Sequence, residues 1–300
     1  MAIFFLLMLV GLIIRHYGII TKDNEKSLSA LVVNVGCPAL IVSSAVESKI
    51  RLTGDELLTT LYVVLATIII TILFAQIIPL IMNYPSKERG AMKAMTIFNN
   101  VAFMGIPIIL GVYGKDAVIY LTMFILPSNF LFFSYGIHLM QEGSEKSGFS
   151  LKKLINPGMI AGILAIIMYI FKLTFPQIIL EPFRLLGGLT TPLAMLVIGA
   201  SLADLSSKEI ITDKKMIVLV GIKMIVFPVL YLLALQKFVN IEPLIGACFV
   251  FLATPTGNMI AMLASLYNKE VYNLSVKEIS LTTAISVITL PIVSLLANLK

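Results

Sequence analysis

The stretch Asn99–Gly114, NNVAFMGIPIILGVYG, lies inside a segment that is apolar enough to cross a membrane, yet it contains two adjacent asparagines, three glycines and a proline. Proline lacks a backbone N–H and clashes with the preceding turn, so Gly105 and Pro107 are predicted to weaken the helix there. An interrupted backbone survives at mid-membrane only where protein or a water-filled cavity satisfies it. The stretch therefore predicts a membrane helix that is broken inside a bundle.

The chain as a whole has the composition of a polytopic membrane protein. Its 300 residues are 59% hydrophobic and 13% charged, with a mean hydropathy of +1.01, whereas about 25% of residues are charged in soluble domains. The net charge of +6 is interpreted through the loops, because Lys and Arg beside a bilayer set topology. A lipid bilayer is therefore the expected surrounding, and a nucleic-acid partner is not expected.

Charged and turn-rich clusters divide the sequence into ten apolar segments. Each has roughly 19 to 27 residues, enough to span about 30 Å of hydrocarbon as a helix. The segments, numbered here as spans 1 to 10, are 2–20, 28–46, 56–82, 91–112, 116–140, 154–174, 183–204, 215–237, 241–267 and 276–298. The predicted fold class is an all-α membrane protein with ten transmembrane helices.

Basic residues are distributed unevenly over the predicted loops. The loops that follow the odd-numbered spans carry twice as many Lys and Arg residues as those on the opposite side. Because positively charged loops stay in the cytoplasm, both termini are predicted to be extracellular. The expected location is the cell (plasma) membrane.

The longest polar linker falls near the midpoint of the chain. It covers residues 141–153 and separates a first five-span half, 1–140, from a second half, 154–300. A duplicated unit with an odd number of spans places its second copy upside down, as in many secondary transporters. The sequence therefore predicts a 5+5 inverted repeat.

Prolines occupy matching spans of the two halves. Pro38 and Pro192 lie in spans 2 and 7, and Pro107 and Pro255 lie in spans 4 and 9. In span 9, Thr254 is a candidate N-cap with Pro255 at the first helical position. Spans 4 and 9 are each predicted to be two half-helices whose breaks lie close together at the repeat interface.

The predicted breaks suggest a binding site. Freed N–H groups at a half-helix N-terminus carry a partial positive charge and can bind a carboxylate without a basic side chain. The candidate substrate-binding residues are Asn99, Asn100, Gly105, Pro107, Asn129, Thr254, Pro255, Thr256 and Asn258. A second interpretation is a Na⁺ site at Asn100, Thr256 and Asn258, because oxygen ligands suit a hard cation.

Ionisable residues are scarce within the spans. For Lys223, the deepest of them, two interpretations stay open. Its long side chain extends to the cytoplasmic face, or its ammonium has a functional role in attracting an anion or in gating transport. No Asp or Glu is placed at a predicted mid-span position, so a proton relay is not supported.

No cofactor is expected, and the coupling ion is left open between H⁺ and Na⁺. Cys37 and Cys248 lack metal-ligand spacing, and His16 and His138 lack an HExxH-like partner, so neither a metal site nor an enzyme is predicted.

The chain resembles the auxin efflux carrier family of membrane permeases, which includes bacterial malate-permease-like members and the plant PIN carriers. The similar segments are GLIIRHYGIITKDNEKSLSALVVNVGCPALIVSSAV (11–46), FNNVAFMGIPIILGVYG (98–114), LAMLVIGASLAD (193–204) and ITLPIVSLL (288–296). The second segment is the most specific, and the four occur in the family's order over nearly the full length.

The resemblance implies a scaffold of spans 1, 2, 6 and 7, which often dimerises in the family, and a transport domain of spans 3–5 and 8–10. The small-residue faces of spans 2 and 7 leave two interpretations open: a homodimer through these spans, or packing within one chain. The resemblance also implies that spans 4 and 9 cross at Pro107 and Pro255, that Asn99 or Asn100 faces the substrate, and that organic anions move by an elevator-like mechanism. The expected function is secondary transport of a small carboxylate. A sodium-coupled symporter of organic solutes and a membrane sensor or channel without carrier activity are the alternatives.

Overall fold

The computed structural model describes residues 2–47, 53–141, 157–203, 214–297 and 299. Every regular element in these ranges is a helix, which agrees with the predicted all-α class. The predicted linker, 141–153, lies outside the described ranges apart from Gln141, as do residues 154–156 at the predicted start of the second half.

The helices of the described ranges are named in chain order. They are α1 (Ala2–His16), α2 (Asp23–Glu47), α3 (Gly54–Ile81), α4 (Ser86–Ile97), α5 (Val101–Tyr113), α6 (Lys115–Gln141), α7 (Pro157–Phe171), α8 (Gln177–Ser201), α9 (Lys215–Leu235), α10 (Glu242–Ala253), α11 (Met259–Tyr267) and α12 (Lys269–Leu296). Six of them, α2, α3, α6, α8, α9 and α12, are long and apolar enough to cross a membrane. The shorter helices α5, α7 and α10 and most of α1 are also apolar, so the described chain has the helices of a multi-pass membrane protein.

Two threonine caps explain why α2 and α3 begin before the apolar runs of spans 2 and 3. The Thr21 hydroxyl accepts from the Asn24 N–H at 3.3 Å, and the Thr21 N–H donates to Asn24 Oδ1 at 2.7 Å. Thr53 and Glu56 make the same reciprocal pair at 3.2 and 2.8 Å. These capping boxes satisfy N–H groups that the first helical turn leaves free, so each helix extends into its polar flank.

Helix α3 has one buried face and one exposed apolar face. One side is buried against the bundle and includes Thr60, Val64, Thr67, Thr71 and Ala75. The other side exposes large apolar side chains, including Leu58, Leu65, Ile69, Leu73, Ile77 and Leu80. An apolar face of this length on a helix long enough to span a membrane is expected to lie against lipid.

Helices α1 and α8 touch backbone to backbone through two glycines. A Cβ atom on Gly11 would lie 2.1 Å from the Leu196 carbonyl oxygen, and one on Gly199 would lie 1.9 Å from the Met8 carbonyl oxygen. Membrane helices approach this closely where small residues occupy the interface. The two helices, which correspond to spans 1 and 7, therefore form a tight pair.

Helices α2 and α8 make a similar contact. A Cβ atom on Gly187 would lie 2.8 Å from the Leu40 Cα, and one on Gly36 would lie 2.7 Å from the Thr190 hydroxyl oxygen. Helix α2 also packs against α7. Small residues of spans 2 and 7 are thus engaged with each other inside one chain.

The centre of the bundle is formed around α10. Its residues from Leu244 to Ala253 are all buried, as expected for a helix that is apolar on every side. Phe251 of α10 stacks on Phe124 of α6 with 4.8 Å between the ring centroids. This packing places the end of α10, and the irregular segment that follows it, in the interior.

The sequence predicts the first half-helix break at Gly105 and Pro107, and the structure shows that this position is wrong. Helix α4 ends at Ile97 and α5 begins at Val101, so the interruption lies at residues 98–100. Pro107 follows a wide first turn in which the Ile106 N–H donates to the Val101 carbonyl. Pro107 is the seventh residue of α5, beyond the first four N–H groups that have no intrahelical acceptor. The wide turn over 101–105, with a hydrogen bond from residue i to residue i−5, lies just before the proline, and α5 continues through it.

The second interruption lies at residues 254–258, around Pro255 as predicted. Thr254 is not the N-cap of α11, because Asn258 occupies that position. The Thr254 hydroxyl instead donates to the Val250 carbonyl at 2.8 Å. Thr254 therefore ends α10 rather than beginning α11.

Candidate functional site

The two interruptions lie side by side and complete each other's backbone hydrogen bonds. The Asn100 N–H donates to the Pro255 carbonyl at 2.7 Å, and the Gly257 N–H donates to the Phe98 carbonyl at 2.9 Å. Between these bonds, the two segments form an isolated antiparallel bridge. Because unsatisfied backbone groups are costly in the interior of a bundle, each irregular segment stabilises the other.

Asn99 closes the C-terminal end of α10. Its Nδ2 donates to the Phe251 carbonyl at 2.9 Å and to the Leu252 carbonyl at 3.3 Å. These carbonyls belong to the last turn of α10, which lacks intrahelical donors. The Oδ1 atom of the same amide is buried and has no hydrogen-bond partner among the described residues, so it is an available acceptor.

The C-terminal end of α4 is closed by two side chains from the second half of the chain. The Met95 carbonyl accepts from the Thr256 hydroxyl at 3.0 Å and from the Lys223 Nζ at 2.5 Å. A cation at a helix C-terminus is favourable, since the last carbonyls carry partial negative charge. The ends of α4 and α10 are thus both capped by protein groups.

The N-terminal ends of α5 and α11, in contrast, border a cavity of about 540 Å³. Side chains of α2 and α6 complete its wall, and Ile125 and Phe132 give it an apolar part. The polar residues that line it are Ser29, Asn34, Asn99, Asn100, Ser128, Asn129 and Asn258. Among the described residues, the lining contains no charged side chain, so hydrogen bonds from amides, hydroxyls and helix N-termini are the polar interactions that these residues offer a ligand.

A second cavity, of about 180 Å³, lies next to the first and shares Ser29, Asn100, Phe103 and Asn258 with it. Residues of α8 and α12 form much of its remaining wall. Glu25, the one charged residue among the described residues of this lining, forms an ion pair with Arg15 at 3.4 Å. Asn100 and Asn258 therefore border both cavities.

The structure brings only part of the predicted set of site residues together. Asn99, Asn100, Asn129 and Asn258 line the larger cavity. Gly105 instead packs on α10, where an added Cβ would lie 2.6 Å from a Val250 methyl group. The remaining predicted residues, Pro107, Thr254, Pro255 and Thr256, are outside both linings.

The predicted Na⁺ ligands are divided between two environments. Thr256 is completely buried, and its hydroxyl contacts Met95, Lys223 and Glu278. Asn100 and Asn258 lie at the cavities instead. The side chains of Asn100, Thr256 and Asn258 therefore do not form a single Na⁺ coordination site.

The structure excludes one of the two interpretations of Lys223 and corrects the expectation that no carboxylate lies at mid-span. Lys223 does not reach the cytoplasmic face, because it is 1% exposed and is bound to Met95, Thr256 and Glu278. A carboxylate does lie inside the bundle, since Glu278 is 0% exposed. The helix that carries it begins at Lys269 rather than at 276, which places Glu278 well inside.

A sequence signal for this pair existed in Lys223 itself. An ionisable residue within a membrane span almost always has a partner that neutralises it. The sequence prediction does not identify this partner, because predicted span 10 begins at 276 and so places Glu278 at the end of the helix rather than inside it. Asn34, on α2, was also missed, because one polar residue in an apolar helix gives no indication of which face it occupies.

The chain is similar in sequence to known membrane transport proteins. Residues 1–294 match the family described as membrane transport protein. The chain is 26% identical over 296 residues to an uncharacterized transporter of Methanocaldococcus jannaschii, a match that covers 95% of this chain and 94% of that protein. It is 22% identical over 291 residues to an uncharacterized transporter of Methanothermobacter thermautotrophicus, covering 95% and 93% of the two chains.

Proposed function

Because the chain belongs to the membrane transport protein family, the family of the auxin efflux carriers, we propose that this membrane transporter carries a small organic anion, a carboxylate, as a secondary transporter. The larger cavity between the helix interruptions is the proposed substrate site. Its volume of about 540 Å³ falls within the range of about 300–1,000 Å³ that is usual for small-molecule sites.

The observation that carries this proposal is a difference between the helix ends at the interruptions: protein groups cap the C-terminal ends, and the N-terminal ends border a cavity. The C-terminal ends of α4 and α10 are capped by Lys223, Thr256 and Asn99, whereas the N-terminal ends of α5 and α11 border the cavity. Helix N-termini favour negative charge. A carboxylate in the cavity would therefore meet two N-terminal ends, with Asn100, Asn129 and Asn258 as further donors.

The boundaries of the two cavities support an elevator-like mechanism as part of this proposal. We assign α1, α2, α7 and α8 to a scaffold and α3–α6 and α9–α12 to a moving transport domain, within a ten-span 5+5 inverted repeat in which spans 4 and 9 cross. The close glycine contacts of α8 with α1 and α2 support a rigid scaffold. Both cavities lie between the two groups of helices, since α2 and α8 supply part of their walls.

Movement of one group past the other would expose the same ligand to each side in turn. Asn100 and Asn258 suit this role because they border both cavities. The bias of basic residues supports an orientation in the plasma membrane with both termini outside. A homodimer through α2 and α8 would use apolar side chains that remain exposed on α8, such as Ile178 and Leu185, because Gly187 and Gly199 are already engaged with α2 and α1.

Counterflow in proteoliposomes tests the proposal. Purified protein is reconstituted with a panel of monocarboxylates and dicarboxylates inside, and uptake of each labelled anion is measured. A carrier shows saturable uptake that internal substrate accelerates. Uptake without this acceleration would indicate a channel, and ligand-induced stabilisation without uptake would indicate a sensor. Absence of saturable uptake for every carboxylate would contradict the proposal.

Dependence on Na⁺ separates the leading proposal from a sodium-coupled symporter. The same uptake is measured with Na⁺ replaced by choline at equal ionic strength. Loss of uptake in choline would favour the symporter. Unchanged uptake would leave an anion carrier that uses no Na⁺.

A further inference from the structure

The ammonium group of Lys223 lies in a cage of oxygen atoms beside the helix interruptions. Its Nζ donates to the Met95 carbonyl at 2.5 Å, to the Thr256 hydroxyl, and to Glu278 Oε1 at 3.3 Å. Lys223 is 1% exposed and Glu278 is 0% exposed. The Lys223 Nζ is thus held inside the bundle by one carboxyl oxygen, one carbonyl oxygen and one hydroxyl oxygen.

The three oxygens have the chemistry of a cation site. Carbonyl, hydroxyl and carboxylate oxygens are the ligands that hard metal cations prefer. The second carboxylate oxygen, Glu278 Oε2, is buried and has no hydrogen-bond partner among the described residues. The cage therefore retains an unused ligand in addition to the three that hold the ammonium.

The cage is assembled from four separate elements. Met95 comes from the end of α4, Lys223 from α9, Thr256 from the second interruption and Glu278 from α12. The Thr256 hydroxyl also lies 2.9 Å from Glu278 Oε1. A cation at this point consequently links α4, α9 and α12 to the backbone that separates α10 from α11.

The residue pair Asn99 and Thr256 connects the cage to the proposed substrate cavity. Thr256 lies opposite Asn99 in the antiparallel bridge, and Asn99 lines the cavity. A change at the cage that displaces Thr256 would therefore act on the substrate cavity. This is the arrangement that ion coupling requires, since both sites must bias the same element.

We propose that the Lys223 ammonium is a built-in cation that fills a monovalent-cation site at the interruptions, so that the transporter needs no free Na⁺ there. An ammonium on a tether cannot dissociate as Na⁺ does, and it loses its charge only by releasing a proton. Glu278 is the charged group that faces it, while the carbonyl and the hydroxyl stay neutral. Any ion coupling at this site is therefore to protons, an inference that rests on the transporter function proposed above.

Emptying the cage gives a direct test. The Lys223→Ala variant leaves Glu278, Thr256 and the Met95 carbonyl without a cation, and thermal unfolding of the purified protein is measured in NaCl and in choline chloride. We expect Na⁺ to stabilise this variant in a saturable way, with the folded-to-unfolded ratio rising about 100-fold at [Na⁺] near 100 Kd. The wild type should unfold at the same temperature in both salts.

Two controls identify the ligand and separate a cation site from a helix cap. The double variant Lys223→Ala/Glu278→Gln lacks the carboxylate and should lose the Na⁺ response. If Lys223 only caps α4, Lys223→Ala would be destabilised equally in NaCl and choline chloride, which would overturn the proposal. This readout needs no transported substrate, so it is independent of whether the carboxylate assignment holds.

The wild type alone provides a decisive measurement should Lys223→Ala not fold. Uptake into proteoliposomes is driven either by an inward Na⁺ gradient at equal pH or by a pH gradient without Na⁺. Uptake that responds to the pH gradient and not to Na⁺ supports the proposal. Uptake that requires Na⁺, or stabilisation of the wild type by Na⁺ over choline, overturns it.

Discussion

Asn99 lies directly opposite Thr256, and each of the two side chains caps a helix from the other half of the chain. Asn99 donates to carbonyls at the end of α10, and Thr256 donates to the Met95 carbonyl at the end of α4. The exchange leaves the N-terminal ends of α5 and α11 to border the cavity. The interruptions therefore connect the two halves of the chain by hydrogen bonds and also form the proposed binding site.

Asn99→Ala is expected to lower the free energy of unfolding. The substitution removes the donor for two carbonyls in the last turn of α10, and an unsatisfied buried acceptor costs about 1–3 kcal/mol. Thermal or denaturant unfolding of the purified protein measures the loss. The control is Asn34→Ala, because that exposed amide donates to the Ala30 carbonyl of its own helix and to no other group in the part of the chain that the structure describes. Equal losses in the two variants would show that Asn99 is not a structural cap.

Leucine at Asn129 is expected to weaken substrate binding and to leave folding nearly unchanged. Asn129 lines the cavity, and loss of one good hydrogen bond to a charged ligand costs about 1.5–3 kcal/mol, roughly a tenfold to hundredfold loss of affinity. Substrate-dependent stabilisation and the half-saturating concentration for counterflow report it.

Gln236→Ala is the matched control for Asn129→Leu. Gln236 is also an amide, but it donates to the Ala297 carbonyl and is outside the cavity lining. Its affinity for substrate should equal that of the wild type. A normal affinity in Asn129→Leu would place the substrate elsewhere.

Gly199→Ala is expected to destabilise the pairing of α1 with α8. The new Cβ would lie 1.9 Å from the Met8 carbonyl oxygen, and overpacking of this kind typically costs about 1–3 kcal/mol. Gly221→Ala is the control, since nothing lies within 4 Å of its Cβ position and alanine favours helix. The unfolding temperature should fall for the first variant and hold or rise for the second; a fall of the same size in both would contradict the close contact.

The Lys223–Glu278 ion pair is expected to show strong energetic coupling. Removal of one member of a buried pair leaves an uncompensated charge and typically costs about 3–5 kcal/mol. Lys223→Met and Glu278→Leu should therefore each be much less stable than the wild type. The double variant should recover a large part of that loss, because two apolar side chains leave no buried charge.

An exposed ion pair supplies the control for this double-mutant cycle. Lys87 and Glu270 are 3.5 Å apart, with side chains 71% and 74% exposed, so solvent screens their attraction. Lys87→Met and Glu270→Leu should behave additively. Additive losses at Lys223 and Glu278 as well would mean that the two charges do not interact in the folded protein.

The two cysteines test movement between the proposed scaffold and transport domain without any mutation. Cys37 of α2 contacts α5 through its thiol, 3.5 Å from the Ala102 carbonyl, whereas Cys248 of α10 lies 3.9 Å from the Thr67 hydroxyl of α3. The first contact joins the two groups, and the second lies within the transport domain. Labelling of Cys37 by N-ethylmaleimide should accelerate during substrate exchange, and labelling of Cys248 should not. An unchanged rate at Cys37 would contradict sliding at this boundary.

Much of the membrane architecture follows from local properties of the sequence. Apolar segments near 20 residues specify helices in a bilayer because a helix satisfies its own backbone. The predicted interruption around Pro255 agrees with the structure, because proline, glycine and two threonines all disfavour a continuous helix there. The family motifs, above all residues 98–114, are likewise local in sequence, and the membrane transport protein family matches the chain.

Tertiary structure decided where the first interruption lies and what surrounds it. Pro107 is accommodated within a helix, whereas residues 98–100 leave the helix because the second interruption, more than 150 positions later, supplies partners for their backbone. The pairing of Lys223 with Glu278 has the same origin, since the two come from different helices. The sequence indicates which local conformations have a low free energy. The groups that form hydrogen bonds to a broken helix or an ion pair with a buried charge come from distant parts of the chain, and only the fold determines which of them meet.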